Sequence, residues 1–225
     1  GRTERFHGYF CKACASRLAM DFSKPHTHIC PSCEAAYTGY PYDGIWEGLV
    51  HSAISVNMER AAILANVYTE DRKYIDYIRR ISLFYADNYH IYEAPEAKSG
   101  QGKAFPHVLN EAIFVVNMER VLRLVKDLNI FSKEEHDRLA EKFFHQAAEF
   151  IKPKIVKIDN HGAWKIAAIA GAANFLGDSE LLDFAIDSEL GWMKQVEKGV
   201  TDDGIWFEIS PNYHFYTISA LLAAA

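Results

Sequence analysis

The amino-acid sequence predicts an all-α protein, built from stacked helical hairpins behind a small cysteine-rich head. The pentapeptide Val-Asn-Met-Glu-Arg occurs at residues 56–60 and again at 116–120, each time within an apolar helix that is followed by a break and an amphipathic helix. Repetition of a helical unit at a fixed period is typical of arrays whose units bury their apolar faces against one another. No long alternating strand pattern competes with this prediction.

The head is predicted to comprise residues 1–43, which hold all four cysteines. These form two pairs, Cys11-Lys-Ala-Cys14 and Cys30-Pro-Ser-Cys33, with the spacing of a tetrathiolate zinc site. We therefore predict a structural zinc ion, with two disulfides or a redox-active pair as alternatives. A redox pair would be expected beside a βαβ pattern, which the sequence lacks. His26 and His28, between the pairs, are expected at the surface or in contact with substrate.

From residue 44 to residue 225 the sequence reads as helices. Ser132 and Glu135 form a capping box, and Ser210 before Pro211 is a strong helix start. Residues 154–159 look extended, and the final residues are good helix formers without a cap, so we expect a fragment that stops inside a helix. Helices are predicted at about 46–67, 70–89, 106–126, 132–152, then after Asn160, at 179–198 and from 211 onward.

The composition limits the class of partner. Hydrophobic residues make up 49% of the 225, which is ample for a core, and the formal net charge is −6. This charge argues against a nucleic-acid partner, so an anionic substrate would need a local pocket of cations or hydrogen-bond donors. No apolar segment is long and uncharged enough to span a bilayer, so no membrane partner is predicted. The oligomeric state stays open.

Every second predicted helix starts with residues that are able to do chemistry. In a hairpin array these starts face the same end, and the free N–H groups of helix N-termini favour a carboxylate. The residues concerned are Asp43 and Trp46, then His107, Asn110 and Glu111, then Asn160, His161, Trp164 and Lys165, and finally Tyr213, His214 and Tyr216.

This combination suits β-elimination from a uronic acid. Asn160 and His161 would hydrogen-bond the carboxylate and stabilise the enolate-like charge that develops on it. Tyr213 would remove the C5 proton and return a proton to the leaving oxygen. Because a free tyrosine has a pKa of about 10, His161, His214 or Lys165 would have to stabilise the phenolate.

Other interpretations remain open. Asn160 could be a simple helix cap, and Trp164 could belong to the core or form a platform for a sugar. A glycoside hydrolase could use the pair Asp203 and Glu208. A zinc-headed helical-repeat protein could bind a partner without catalysis.

The sequence also resembles a known superfamily. The motif Asn160-His161-Gly-Ala-Trp164, followed by Asp203-Gly204-Ile-Trp-Phe-Glu208-Ile-Ser-Pro-Asn-Tyr213-His214-Phe-Tyr216, is similar to that of the heparinase II/III-like and alginate-lyase superfamily of bacterial polysaccharide lyases, including oligoalginate-lyase-like members. The resemblance implies an incomplete (α/α) toroid over residues 44–225, truncated at its C-terminal end. The family's toroid is normally followed by β-sandwich domains.

The resemblance also implies roles for individual residues. Asn160 and His161 would neutralise the uronate carboxylate, and Tyr213, with Tyr216 as second choice, would be the catalytic acid and base. His107 stands where the family has a glutamine, and it would contact substrate together with Trp164, His214 and Tyr216. The implied substrate is an anionic oligo- or polysaccharide, either alginate or a glycosaminoglycan. Endo or exo action, and a bacterial cytoplasmic or periplasmic location, stay open.

Overall fold

The structure, a computed structural model, describes residues 8–68, 70–93 and 100–225. Residues 1–7 of the predicted head lie outside the described residues. The chain divides into two compact units, of which the first takes residues up to Asn57 together with Ile91–Glu111. The second takes Met58–His90 and Ala112–Ala225.

The fold is mostly helical, which confirms the prediction of an all-α class. A short antiparallel pair, β1 (His28–Ile29) and β2 (Ala36–Tyr37), lies in the head, with His28 opposite Tyr37. Among the described residues, no helix combines the length and the apolar character needed to cross a membrane. The helices are α1 (Tyr42–Val67), α2 (Arg72–Asn88), α3 (Val108–Leu124), α4 (Lys133–Leu139), α5 (Gln146–Ile151), α6 (Asn160–Leu176), α7 (Ser179–Asp187), α8 (Trp192–Gly199) and α9 (Pro211–Ala224).

The core of the first unit joins the head to the start of α1. It contains the buried side chains of Tyr9, Cys11, Leu18, Cys30, Tyr42 and Ile45. His28 is fully buried, with Nδ1 2.7 Å from the Tyr9 hydroxyl and Nε2 3.0 Å from Asp43 Oδ1. The expectation that His28 lies at the surface is therefore wrong. Both ring nitrogens have polar partners, which offsets the cost of burying the ring. The contact with Asp43 links the head to α1.

The repeated pentapeptide has a packing role in the second unit. Met58 and Met118 are both buried. Arg120 Nη2 of the second copy lies 3.1 Å from Glu59 Oε1 of the first. The next glutamate, Glu119, accepts a hydrogen bond of 2.9 Å from the side chain of Asn174 on α6. The repeat therefore supplies apolar contacts and polar links that set the register between helices.

The predicted fourth helix is interrupted in its middle. The capping box is confirmed, because the Ser132 hydroxyl accepts from Glu135 N and Glu135 Oε2 accepts from Ser132 N. Between α4 and α5 the segment Ala140–His145 is a π-helix, a form that inserts one extra residue per turn. It carries the buried rings of Phe143 and Phe144.

The prediction of one unbroken sixth helix is wrong. The predicted sixth helix is split into α7 and α8, because the chain turns between Ser188 and Gly191. A Cβ atom at Gly191 would lie 2.7 Å from the carbonyl oxygen of Ile186, so the backbone folds back too closely there for one straight helix. Of residues 154–159, which look extended in the sequence, Lys154 ends a 3₁₀ turn at Lys152–Lys154, whereas Ile155 and Asp159 have extended backbone angles without forming a strand. Pro153 at the start of that turn favours the turn geometry.

Candidate active site

The first turn of α6 carries Asn160 and His161. Asp159 is the N-cap of this helix, since its Oδ1 accepts from Gly162 N at 2.7 Å. The alternative of Asn160 as a simple helix cap therefore does not describe the structure. A Cβ atom at Gly162 would lie 2.4 Å from the carbonyl oxygen of Lys157 and 2.9 Å from Gln195 Nε2. Only glycine fits this close approach, so the turn is tightly held.

The Asn160 amide faces Glu208. Nδ2 of Asn160 lies 2.9 Å from each carboxylate oxygen, and the backbone N–H of Asn160 also donates to Oε2 at 2.9 Å. Trp206 Nε1 donates to the same Oε2 at 2.7 Å. Three donors, two from Asn160 and one from Trp206, thus meet on one carboxylate. Among the described residues, the buried Oδ1 of Asn160 has no hydrogen-bond partner.

The pKa of Glu208 reflects these contacts. Burial of the carboxyl acts to raise its pKa, but the hydrogen bonds from Trp206 and Asn160 act in the opposite sense and leave it below the ordinary value. A carboxylate that accepts several hydrogen bonds is stabilised in its charged form. Glu208 is therefore an ionised acceptor at neutral pH.

The segment that carries Glu208 is packed against α8 at Trp206 and turns sharply at Ile209. Trp206 is buried against Gly199, where an added Cβ would lie only 2.2 Å from the indole ring, and Phe207 N donates to Gly199 O. Ile209 has φ +48° and is 82% exposed. A β-branched residue in the left-handed region costs about 1–2 kcal/mol. The chain accepts this strain between Glu208 and the start of α9.

The first turn of α9 carries Tyr213 and His214. Tyr213 is 49% exposed, so its phenol is accessible from solvent. His214 Nδ1 accepts a hydrogen bond of 3.1 Å from the backbone N–H of Trp206. Because Nδ1 is an acceptor, the neutral ring carries its proton on Nε2, where it can be donated.

Trp164 and Tyr216 form a second contact between α6 and α9. Their ring centroids lie 5.2 Å apart with a tilt of 49°. Trp164 is only 9% exposed, so it belongs to the packing between α6 and α9 and presents no open platform to a sugar. Burial raises the pKa of Tyr216 to about 12, which makes its phenolate hard to form.

Two cationic or basic groups lie close to Asn160 in sequence. Burial lowers the pKa of His161 below its ordinary value, so this imidazole is neutral at pH 7. Burial also lowers the pKa of Lys165, whose Nζ donates to the carbonyl oxygen of Lys154 at 2.6 Å. Lys165 Nζ is thus bound to a backbone carbonyl oxygen. The structure describes both Lys165 and Tyr213 but gives no contact between them that would support a phenolate at Tyr213.

His107 lies in the first unit, just before α3. Its Nδ1 accepts from Leu109 N at 3.1 Å, which again leaves the proton of the neutral ring on Nε2. The loop before it wraps around the buried carboxylate of Glu111, which accepts from the backbone N–H groups of Lys103, Ala104 and Phe105. Glu111 therefore fixes the loop that presents His107.

The network places the sequence-predicted residues of the second unit as follows. Asn160 is joined through Glu208 and Trp206 to His214, which is next to Tyr213 in the chain. Trp164 contacts Tyr216 directly. Sequence reasoning missed Glu208 as the centre of this network. The sequence feature that could have indicated this role is the position of Glu208 within the motif from Asp203-Gly204 to Tyr213-His214.

The four cysteines of the head also come together. Their sulfur atoms all lie within 4.8 Å of one another, with Cys11 and Cys33 at 3.5 Å and Cys14 and Cys30 at 3.5 Å. All four are free thiols in the structure. Tetrahedral zinc with Zn–S bonds of about 2.3 Å needs sulfur atoms roughly 3.8 Å apart. The donor set and its spacing therefore fit a bound metal ion.

Comparison with known proteins agrees with the resemblance noted from the motifs. An alginate lyase from Stenotrophomonas maltophilia (strain K279a) is 29% identical over 190 residues, covering 79% of this chain and 25% of the relative. An exo-oligoalginate lyase from Saccharophagus degradans (strain 2-40) is 26% identical over 227 residues, covering 96% of this chain and 29% of the relative. The chain thus spans between a quarter and a third of the length of these curated relatives.

The family model described as alginate lyase matches residues 50–225, which is well over half of the chain. This range includes the Asn160 motif and the segment from Asp203 to Tyr216. The chain therefore belongs to the alginate lyase family.

Proposed function

We propose that the protein is a polysaccharide lyase that cleaves uronate-containing glycans by β-elimination, with alginate or its oligosaccharides as substrate. The observation that supports this proposal is the contact network from Asn160 through Glu208 and Trp206 to His214, which links the start of α6 to the start of α9. The names of the two relatives favour alginate over a glycosaminoglycan.

Asn160 and His161 act on the uronate carboxylate in this proposal. The C5 proton is weakly acidic while the adjacent carboxylate is fully charged, so donors that stabilise the enolate-like charge lower the barrier. Because burial lowers the pKa of His161, its imidazole acts as a neutral hydrogen-bond donor and not as a cation. The Asn160 amide supplies a second neutral donor.

Tyr213 carries out the proton transfers. Its phenolate takes the C5 proton, the C–H electrons form the C4–C5 double bond, and the C4–O bond breaks. The leaving oxygen then receives the proton from the Tyr213 phenol. Tyr213 is preferred over Tyr216 because it is half-exposed, whereas burial raises the pKa of Tyr216 to about 12. In this proposal the Nε2–H of His214, whose Nδ1 already accepts from Trp206 N, would stabilise the phenolate.

The remaining predicted residues contribute to binding. His107, whose Nδ1 accepts from Leu109 N, stays a proposed substrate contact. Trp164 and Tyr216 would form part of the substrate-binding surface, which we call the α6–α9 wall, by packing against each other. The (α/α) toroid over residues 44–225 is part of the same proposal, because such an array would bring the helix starts to one end.

Zinc belongs to the proposal as a structural ion. Cys11, Cys14, Cys30 and Cys33 would hold it, and a site closed by four thiolates leaves no open position for substrate. When bound, the ion would cross-link the two cysteine knuckles of the head and so contribute folding free energy.

A hydrolase using Asp203 and Glu208 is disfavoured by the contacts of both residues. Glu208 accepts three hydrogen bonds and is held ionised, so it has no proton to give to a leaving group. A hydrogen bond from Thr201 lowers the pKa of Asp203 as well. Neither carboxyl has the raised pKa that a general acid requires.

The test uses the full-length protein against a panel of alginate and glycosaminoglycan polymers and oligosaccharides. Elimination creates a conjugated double bond, so near-ultraviolet absorbance should rise with alginate. Tyr213→Phe should abolish that rise, and Tyr68→Phe, at another exposed tyrosine of the second unit, should not. New reducing ends without absorbance would favour a hydrolase, and no processing of any polymer would favour a binding protein.

A further inference from the structure

The Glu208 carboxylate lies where a lyase would be expected to avoid negative charge. The substrate is itself a carboxylate, and two carboxylates in one site repel each other. Glu208 nevertheless accepts from both the side chain and the backbone of Asn160, a residue proposed to bind the uronate. Its presence calls for a function that outweighs the repulsion.

The contacts indicate what that function is. An asparagine amide has a donor end and an acceptor end of nearly the same shape, and its orientation follows from its partners. An ionised carboxylate can only accept, so Glu208 requires the Nδ2 end of Asn160 to face it. Without Glu208, the amide could turn by 180° and present Oδ1 to the uronate, which would repel it.

One N–H group remains for the substrate. Both oxygens of Glu208 lie 2.9 Å from Nδ2, and because they belong to one carboxylate they occupy the same side of that nitrogen. A single N–H can be shared between them. The second N–H of Nδ2 points away from the first, and in the proposed lyase it is the group that would bind the uronate carboxylate, although Asn160 as a whole is only 5% exposed.

Glu208 is itself held in place on two sides. Trp206 Nε1 donates to Oε2, and the buried indole ring is wedged against Gly199. On the other side, Ile209 takes the strained φ of +48° that turns the chain from Glu208 into α9. Strain of this kind persists where the surrounding structure fixes it, and it is concentrated at functional sites.

We propose that Glu208 is a positioning residue for the elimination: it orients the Asn160 amide so that one N–H meets the uronate carboxylate. This inference rests on the proposed lyase function. Glu208 does not touch the substrate or exchange a proton. It acts through Asn160, with Trp206 as its own support.

The experiment is a double-mutant cycle in the full-length protein, with alginate oligosaccharide as substrate. Glu208→Gln keeps the size of the side chain but places an amide opposite the donors of Asn160 and Trp206. We expect kcat to fall about 10- to 100-fold, the range known for metal sites when a residue that orients a ligand is lost. KM should change less than kcat, because removal of the repelling charge of Glu208 offsets the weaker hydrogen bond from a misoriented Asn160 amide.

The cycle separates positioning from a general structural effect. If Glu208 acts through Asn160, then Glu208→Gln should change kcat by less than about 2-fold once Asn160→Ala is present. Glu208→Asp, which keeps the charge, should recover part of the activity. Glu197→Gln, an equal change of charge at an exposed position on α8, should leave kcat unaltered.

Each outcome decides the question. Equal fold-losses of kcat with and without Asn160→Ala, or a kcat loss that follows a loss of melting temperature, would overturn the positioning role. A raised KM with unchanged kcat would make Glu208 a binding residue instead. If the wild-type protein forms no unsaturated product, the proposed function fails and the inference fails with it. If the wild type is active and the cycle is additive, only the inference fails.

Discussion

Gly199→Ala is the substitution that tests the packing beneath the site most sharply. The added Cβ would lie 2.2, 2.5 and 3.1 Å from three carbons of the Trp206 ring, well inside van der Waals contact. The indole would have to shift by more than an ångström. Its Nε1 donates to Glu208 at 2.7 Å, so the shift would break that hydrogen bond.

The magnitude follows from two costs and one gain. Overpacking of a filled core costs about 1–3 kcal/mol, and loss of a hydrogen bond to a charged group costs about 1.5–3 kcal/mol. Replacing glycine by alanine in a helix returns about 0.5–1 kcal/mol. We expect a net loss of about 2–4 kcal/mol, since partial movement of the ring relieves both costs together.

The assay is thermal unfolding of the full-length protein, combined with kcat on alginate oligosaccharide. For a domain of 150–250 residues, each kcal/mol corresponds to about 2–4 °C in melting temperature. Gly171→Ala is the control, because its Cβ would lie at an ordinary 3.5 Å from Glu119 and should stabilise α6 slightly. Equal melting temperatures and equal kcat for Gly199→Ala and wild type would refute the proposed support of Glu208 by Trp206.

Three further predictions concern pH, metal and the choice of tyrosine. Burial lowers the pKa of His161, so the imidazole binds a proton more readily in the unfolded chain than in the folded protein. The folded protein should therefore lose stability as pH falls below about 6.5. His161→Gln should reduce the dependence of the melting temperature on pH in that range. An unchanged slope would contradict the burial of the imidazole. Chelation or Cys14→Ser should release one zinc per chain and lower the melting temperature, whereas metal analysis that finds no zinc would exclude the site. Tyr216→Phe should retain kcat within about 10-fold while Tyr213→Phe loses at least 10³-fold, the upper range of general acid–base catalysis; the reverse order would exchange their roles.

Local signals in the sequence predicted the start of two helices correctly. Ser132 with Glu135, and Ser210 before Pro211, are start signals whose physics is contained in four residues, and both helices begin there. The cysteine knuckles were also predictable, since each pair occupies one tight turn and only their approach to each other is long-range. The all-α class followed from periodicity in the same way.

Contacts between distant segments could not be predicted from the sequence. The pairing of Asn160 with Glu208 spans 48 residues, and nothing in local periodicity reports it. The burial of His28 depends on Tyr9 and Asp43 on either side of it, so a polar residue in a loop-rich segment gave the opposite expectation. The break before α8 depends on the close backbone approach at Gly191, which only the folded chain reveals.

The proposed elimination is tested most directly by the mass of the products that the full-length protein releases from a defined alginate oligosaccharide. β-Elimination leaves the fragment with the new non-reducing end lighter by one water than hydrolysis would. We predict that the wild-type protein releases this unsaturated fragment, that Tyr213→Phe releases little or none, and that Asn160→Ala releases it at a reduced but measurable rate. Saturated fragments from the wild type, or unsaturated fragments at an undiminished rate from Tyr213→Phe, would contradict the assignment of the wall formed by α6 and α9 as the catalytic site.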